Sequence, residues 1–191
     1  TMAFVAGPTG NLLGGYRMLP DGSGYTGKNA FSIVASADEW FSPVAAEVGP
    51  DGALWIADWY NFIIQHNPTP SAGRGGYDAK NGPGNAHINP NRDRQHGRIY
   101  RLVWEGSQTS KIKSLANASS DALVASLDDD NMFWRLTGHR LLVERQATDQ
   151  VSALKQSVLK GERNAIHALW VLHGLGQLES SLHQAALLSS N

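Results

Sequence analysis

The stretch Pro43–Asn61 constrains the fold more than any other part of the chain. Val44, Ala46 and Val48 alternate with Ala45 and Glu47, Asp51-Gly52 follows, and Leu54 and Ile56 then alternate with Trp55 and Ala57. A period of two marks a strand, and two such runs around Asp-Gly mark a hairpin. Gly52 accepts the positive φ of the turn, and Asp51 can hydrogen-bond the local backbone.

The preceding residues continue the pattern. Ala3–Ala6, Leu12–Met18 and Ala30–Ala35 are short apolar runs separated by Gly7-Pro-Thr-Gly-Asn11 and Pro20-Asp-Gly-Ser-Gly24, the punctuation of an antiparallel sheet. Arg98–Trp104 alternates again and is expected to be the last strand. Between them, residues 67–97 have little periodicity and much Asn, Gly and Pro, with Arg74, Asp78, Lys80, Arg92, Asp93 and Arg94 among them. Loops of that length are usually functional or disordered.

Residue usage then changes. Nearly all Gly and Pro lie in 1–105, whereas 112–191 is rich in Leu, Ala, Ser and Gln. The expected organisation is a sheet domain over 1–105, a polar linker over 106–111 and a helical domain over 112–191. Helices are predicted for 121–127, for about 132–144 with Asn131 as cap, for 151–159 with Asp149 as cap, for 164–175 and for 179–188. Leu136, Leu142, Val143, Val151, Leu154, Val158, Ile166, Leu169, Leu172 and Leu175 supply their apolar faces. Trp134 and Trp170 are expected in the core. Helix starts near 120, 149 and 179 recur at roughly 30 residues, a period of helical-pair solenoids. The last helix lacks a partner before Asn191, so the native polypeptide is expected to continue.

Gly49-Pro-Asp-Gly52, Leu54-Trp-Ile-Ala-Asp-Trp59 and Asn61 together resemble a blade of the six-bladed propellers related to soluble glucose/sorbosone dehydrogenases and NHL-type repeats. Glu39-Trp-Phe-Ser-Pro-Val44 before it and Asn91–Arg101 after it narrow the resemblance to the large planctomycete and verrucomicrobial proteins called membrane-bound dehydrogenases. In those, a β-propeller is followed by HEAT repeats and often by a c-type cytochrome domain. The fold class implied is a multidomain fragment, the C-terminal blades of a propeller followed by an α-solenoid. Residues 1–65 would supply about one and a half blades, and a propeller needs at least four to close. The β part is then a piece of a larger ring, or else a smaller irregular sheet. Further implications are an exported, periplasmic or cell-surface location, and pyrroloquinoline quinone and calcium as cofactors. A haem c would lie in a domain outside this chain.

Chemistry concentrates around the loop and its flanking strands. His96, Asp93, Arg98 and Arg92 form the candidate catalytic set, and Asp58, Asn61, His66 and Glu47 the candidate substrate-binding set. Carboxylate, imidazole and guanidinium together can orient a sugar or a quinone carboxylate, and the histidine can take a hydroxyl proton as hydride leaves. The plainer alternative has Asp58 and Asn61 stabilising a turn, Asp93 paired with Arg98 or Arg92, and Glu47 on an exposed strand face. Asp78, Asn89 and Asn91 offer hard oxygen ligands for calcium, and His87, His96 and Asp93 are a weaker zinc set. His139, His167, His173 and His183 share no ligand spacing and are expected to be surface or packing residues.

The net charge of −1 supplies no basic field for nucleic acid or anionic lipid. No apolar run approaches the roughly 20 residues of a membrane span. The absence of cysteine excludes disulfides, thiolate metal sites and covalent haem in this chain. Phosphate-loop and nucleophile-elbow motifs are missing. The leading expectation is part of a sugar or alcohol dehydrogenase-like protein, inactive as a fragment, that passes electrons to a cytochrome domain. Its partners would be a carbohydrate or small-molecule substrate and the rest of the parent polypeptide. The rival is a non-catalytic scaffold that binds glycans or proteins.

Overall fold

The computed structural model describes residues 2–62, 93, 95–106, 111–161 and 163–189. The chain divides into two compact units, one of residues 1–47 and 53–106, the other of 48–52 and 107–191.

The first unit holds two three-stranded antiparallel sheets. β1 (Met2–Gly7), β2 (Leu12–Asp21) and β3 (Gly24–Ala35) form one meander; β4 (Pro43–Val48), β5 (Leu54–Asp58) and β6 (Arg98–Leu102) form the other. β2 and β3 stay paired until Asp21 faces Gly24, and Gly22 takes φ +59° where a two-residue turn requires a positive angle. β5 shows clean alternation, with Leu54, Ile56 and Asp58 buried while Trp55 is exposed. Leu13, Leu54 and Ile56 are the buried centre of a cluster in this unit; Phe4, Ala6, Ile33, Val34, Ala46, Tyr100 and Leu102 pack around them, so that all six strands contribute.

The second unit holds five helices: α1 (Ser120–Ser126), α2 (Met132–Glu144), α3 (Val151–Lys160), α4 (Ala165–Gly174) and α5 (Ser180–Leu187). Leu123, Leu142, Leu154, Leu172 and Leu182, one from each helix, meet in a single core. Asn131 caps α2 by accepting from Phe133 N at 3.0 Å, and its amide donates to Gly49 O at 2.8 Å. Trp134 Nε1 donates to Pro50 O at 3.1 Å, which satisfies the indole of a buried ring. Asp149 caps no helix; it lies in a short 3-10 turn ahead of α3.

The expectation of propeller blades followed by HEAT repeats is overturned. Among the described residues each sheet has three strands, where a propeller blade has four. Strands of both sheets contribute to one small core, and the described strands form no closed propeller. The helices gather on one shared core, so the chain is a small mixed α/β protein. Trp170 is also not core: it is 54% exposed, and Ile166 is exposed too, because α4 carries more apolar residues than its inner face can bury; Leu136 on α2 is likewise exposed. Val44 and Val48 lie exposed on β4.

Two features of the helical unit have measurable consequences. Gly138 on α2 lies so close to α1 that an added Cβ would meet Ser126 Oγ at 1.9 Å. Alanine normally favours a helix by about 1 kcal/mol over glycine, but here Gly138→Ala should destabilise by about 1–3 kcal/mol through overpacking. Urea unfolding followed by circular dichroism should show this, with part of the loss recovered by Ser126→Ala in the same chain. The rings of His139 on α2 and His167 on α4 stand 5.9 Å apart, edge to face. Burial lowers both below the ordinary 6.5, and Arg135 and His139 add to the effect on His167. Both are therefore neutral in the fold and take up protons more readily when unfolded. The stability they leave intact above about pH 6.5 is lost as pH falls from 7 toward 5. Thermal melts across that range should show a steeper fall for the wild type than for His167→Gln.

Candidate functional site

The sheet unit carries an open cleft of about 500 Å³ lined by Trp40, Tyr60, Asp93, His96, Gly97 and Arg98. It forms where the segment after β3, the residues after β5 and the start of β6 meet. Each wall is held by a short polar side chain.

Asp58 ends β5 and is 3% exposed. Its Oδ1 accepts from Ser42 N and Tyr60 N, both at 2.8 Å, and Trp59 N donates to Ser42 O at 2.9 Å. The 40–43 segment is thereby joined to the residues that follow β5. Tyr60 has φ +51°, a left-handed conformation that costs a bulky residue of order 1 kcal/mol or more. The hydrogen bond from its N–H to Asp58 holds it there and turns the phenol ring toward the cleft.

Trp40 is positioned from the other side. Asn11, itself left-handed at φ +51°, donates through its amide to Phe41 O at 2.6 Å, and Ser36 N donates to Asn11 O at 3.0 Å. Asp38 Oδ1 accepts from Trp40 N at 3.0 Å. The Trp40 ring then lies 5.6 Å from Tyr60 and 6.1 Å from Phe62, which makes an aromatic wall.

The polar wall comes from 93–98. Asn61, 1% exposed, donates to Asp93 O at 2.9 Å. Asp93 Oδ1 accepts from Gln95 N at 2.7 Å and His96 N at 3.1 Å, while Oδ2 lies 2.5 Å from His96 Nδ1. The Gln95 N–H chiefly, then the side chain and N–H of His96, hold the Asp93 carboxyl below its usual range against the cost of burial. The imidazole itself is 70% exposed, so its Nε2 edge faces solvent. Arg98 lays its guanidinium 3.7 Å from the centre of the Tyr60 ring, and its Nη1 is 3.7 Å from Asp38 Oδ2.

Of the residues singled out from sequence, His96, Asp93 and Arg98 share this cleft. Asp58 and Asn61 sit behind it and hold backbone. Asp93 pairs with His96, and the carboxylate nearest Arg98 is Asp38 among the described residues. Glu47 is exposed on β4 and does not line the cleft. Arg92, His66, His87 and the calcium candidates Asp78, Asn89 and Asn91 lie outside the described residues. Among the described residues no three His, Cys, Asp or Glu side chains converge as a metal site, and no helix is long and apolar enough to cross a membrane. Sequence reasoning passed over Trp40, Tyr60, Asp38 and Asn11. Asn11 after Gly10 and Asp38 two residues before Trp40 are turn-type signals, but neither says which way a ring will point. Ser42 Oγ and Asn61 Oδ1 are buried without hydrogen-bond partners among the described residues. Such unpaired groups are costly and need a local reason.

Comparison with known proteins gives one match. Residues 1–106 fit the profile of a domain of unknown function, DUF7133. The match spans more than half of the chain, which therefore belongs to that family. No curated protein and no solved structure matches.

Because Asp58 receives two backbone N–H groups, Asp58→Ala should cost about 2–4 kcal/mol, the penalty of leaving them unpaired. Asp58→Asn, which keeps an acceptor oxygen, should cost less. Urea titration monitored by tryptophan fluorescence checks both.

Proposed function

We propose that the DUF7133 portion of this chain is a carbohydrate-binding unit, with the sugar ring lying against Trp40 and Tyr60. The observation that carries this reading is the pairing of a part-exposed aromatic wall with a polar wall in one open cleft. A pyranose has apolar C–H faces and a rim of hydroxyl groups. Aromatic rings cover the faces, and Asp, His and Arg side chains hydrogen-bond the rim. Ligand sites commonly combine apolar lining with a few placed polar groups.

Oxidation of the bound alcohol is a second reading, and the His96–Asp93 pair favours it. With Nδ1 held by the carboxylate at 2.5 Å, the exposed Nε2 can accept a proton from a ligand hydroxyl. Asp93 fixes the ring orientation and would stabilise the imidazolium. The resemblance to planctomycete and verrucomicrobial membrane-bound dehydrogenases supports the same reading, and with it an exported protein that hands electrons to a haem c domain. Binding is the primary conclusion because the aromatic wall beside polar side chains supports it directly.

Isothermal titration of the chain against a panel of neutral and acidic oligosaccharides tests it. Trp40→Ala should weaken binding of any sugar ligand at least tenfold, while His96→Gln should reduce it only a few fold. Equal binding by the wild type and Trp40→Ala overturns the assignment.

A further inference from the structure

Resting on the carbohydrate reading, we infer that the cleft selects an acidic sugar, one whose carboxylate is received by Arg98. Arg98 carries a planar fork of N–H donors, and such a fork matches the two oxygens of a carboxylate. Its guanidinium carbon lies over the Tyr60 ring, 3.7 Å from the centre, and the Tyr100 and Tyr60 side chains also hydrogen-bond it. Those contacts order the side chain before the ligand arrives, and the guanidinium's five N–H donors leave others for a ligand.

The partners of the charged groups support the same conclusion. Asp93, His96 and Arg98 line the cleft, and Asp38 lies beside Arg98. Asp93 is occupied, since it accepts from two backbone N–H groups and from the imidazole. Asp38 uses Oδ1 on Trp40 N, and its Oδ2 stands 3.7 Å from Arg98, beyond hydrogen-bond distance. Among the described residues, then, no carboxylate hydrogen-bonds the guanidinium. The arginine is 42% and Asp38 45% exposed, so the pair is solvent-screened and readily exchanged for a ligand carboxylate.

The ligand implied is a uronate. Its ring face lies on Trp40 and Tyr60, its carboxylate meets Arg98, and a ring hydroxyl meets His96. A flat carboxylate suits the fork better than the tetrahedral sulfate of a sulfated sugar.

Titration calorimetry of the chain with galacturonate and glucuronate oligosaccharides, their neutral hexose counterparts and a sulfated hexose oligosaccharide tests this. The wild type should bind a uronate at least tenfold more tightly than the matched neutral sugar, and the difference should shrink as salt is added. Arg98→Gln should abolish the preference, lowering uronate affinity at least tenfold more than neutral-sugar affinity, and Arg98→Lys should restore only a small part of it. Equal wild-type affinity for uronate and neutral sugar overturns the inference and leaves the carbohydrate reading standing; a preference for the sulfated sugar does likewise. Absence of binding to every sugar, with Trp40→Ala indistinguishable from wild type, overturns both. The wild-type comparison stands even if a variant at Arg98 fails to fold.

Discussion

One buried carboxylate organises the sheet unit. Asp58 receives the N–H groups of Ser42 and Tyr60, and so ties two separate backbone segments to the end of β5. Trp40 lies two residues before the first of these and Tyr60 is the second. Both walls depend on it, because Asn61, one residue further, holds the carbonyl of Asp93. A charged acceptor that meets two backbone donors forms strong hydrogen bonds, and the low dielectric around it strengthens them. The cleft is thus fixed from behind by groups that do not face it.

The arrangement also explains why a small core suffices near the site. Leu13, Leu54 and Ile56 form a small buried apolar cluster in this unit, while Tyr25, Phe31 and Val44 lie exposed. Short-range polar ties take over where apolar burial is thin. Asn11, Asp38, Asp58, Asn61 and Asp93 each bind backbone at a turn or strand end, and the rings and cations of the cleft are carried on those turns. In the helical unit the balance is the opposite, with a leucine from every helix in one core.

Much of the local structure was legible from residue spacing. The hairpin around Asp51-Gly52, the strand at 98–102, the change from sheet to helix and the cap at Asn131 all follow from period, turn residues and capping chemistry. The architecture was not. A blade-like hairpin and a period of roughly 30 residues suggested a propeller and a solenoid, yet strand number and the sharing of one core are properties of how elements meet. The cleft was half legible: Asp93, His96 and Arg98 stand close in sequence and are polar in an otherwise irregular stretch. Trp40 and Tyr60 could not be read that way, since an aromatic residue beside a turn serves core and surface equally well. Their role depends on backbone angles imposed by Asn11 and Asp58.

Composition and spacing alone decide which chemistry this chain can hold. Without cysteine, thiolate chemistry is excluded before any fold is known, and a net charge of −1 supplies no broad basic field. Helix and strand positions are settled the same way, because side-chain periodicity and turn residues act over a few neighbours. Which side chains face one another is decided only in three dimensions. Asp93 with His96 is a local pair three residues apart, but Arg98 over Tyr60 and Trp40 against Tyr60 bring together residues 38 and 20 positions apart. Hydrogen bonds to a buried aspartate and a left-handed asparagine close those distances, and no pattern in the linear sequence contains them.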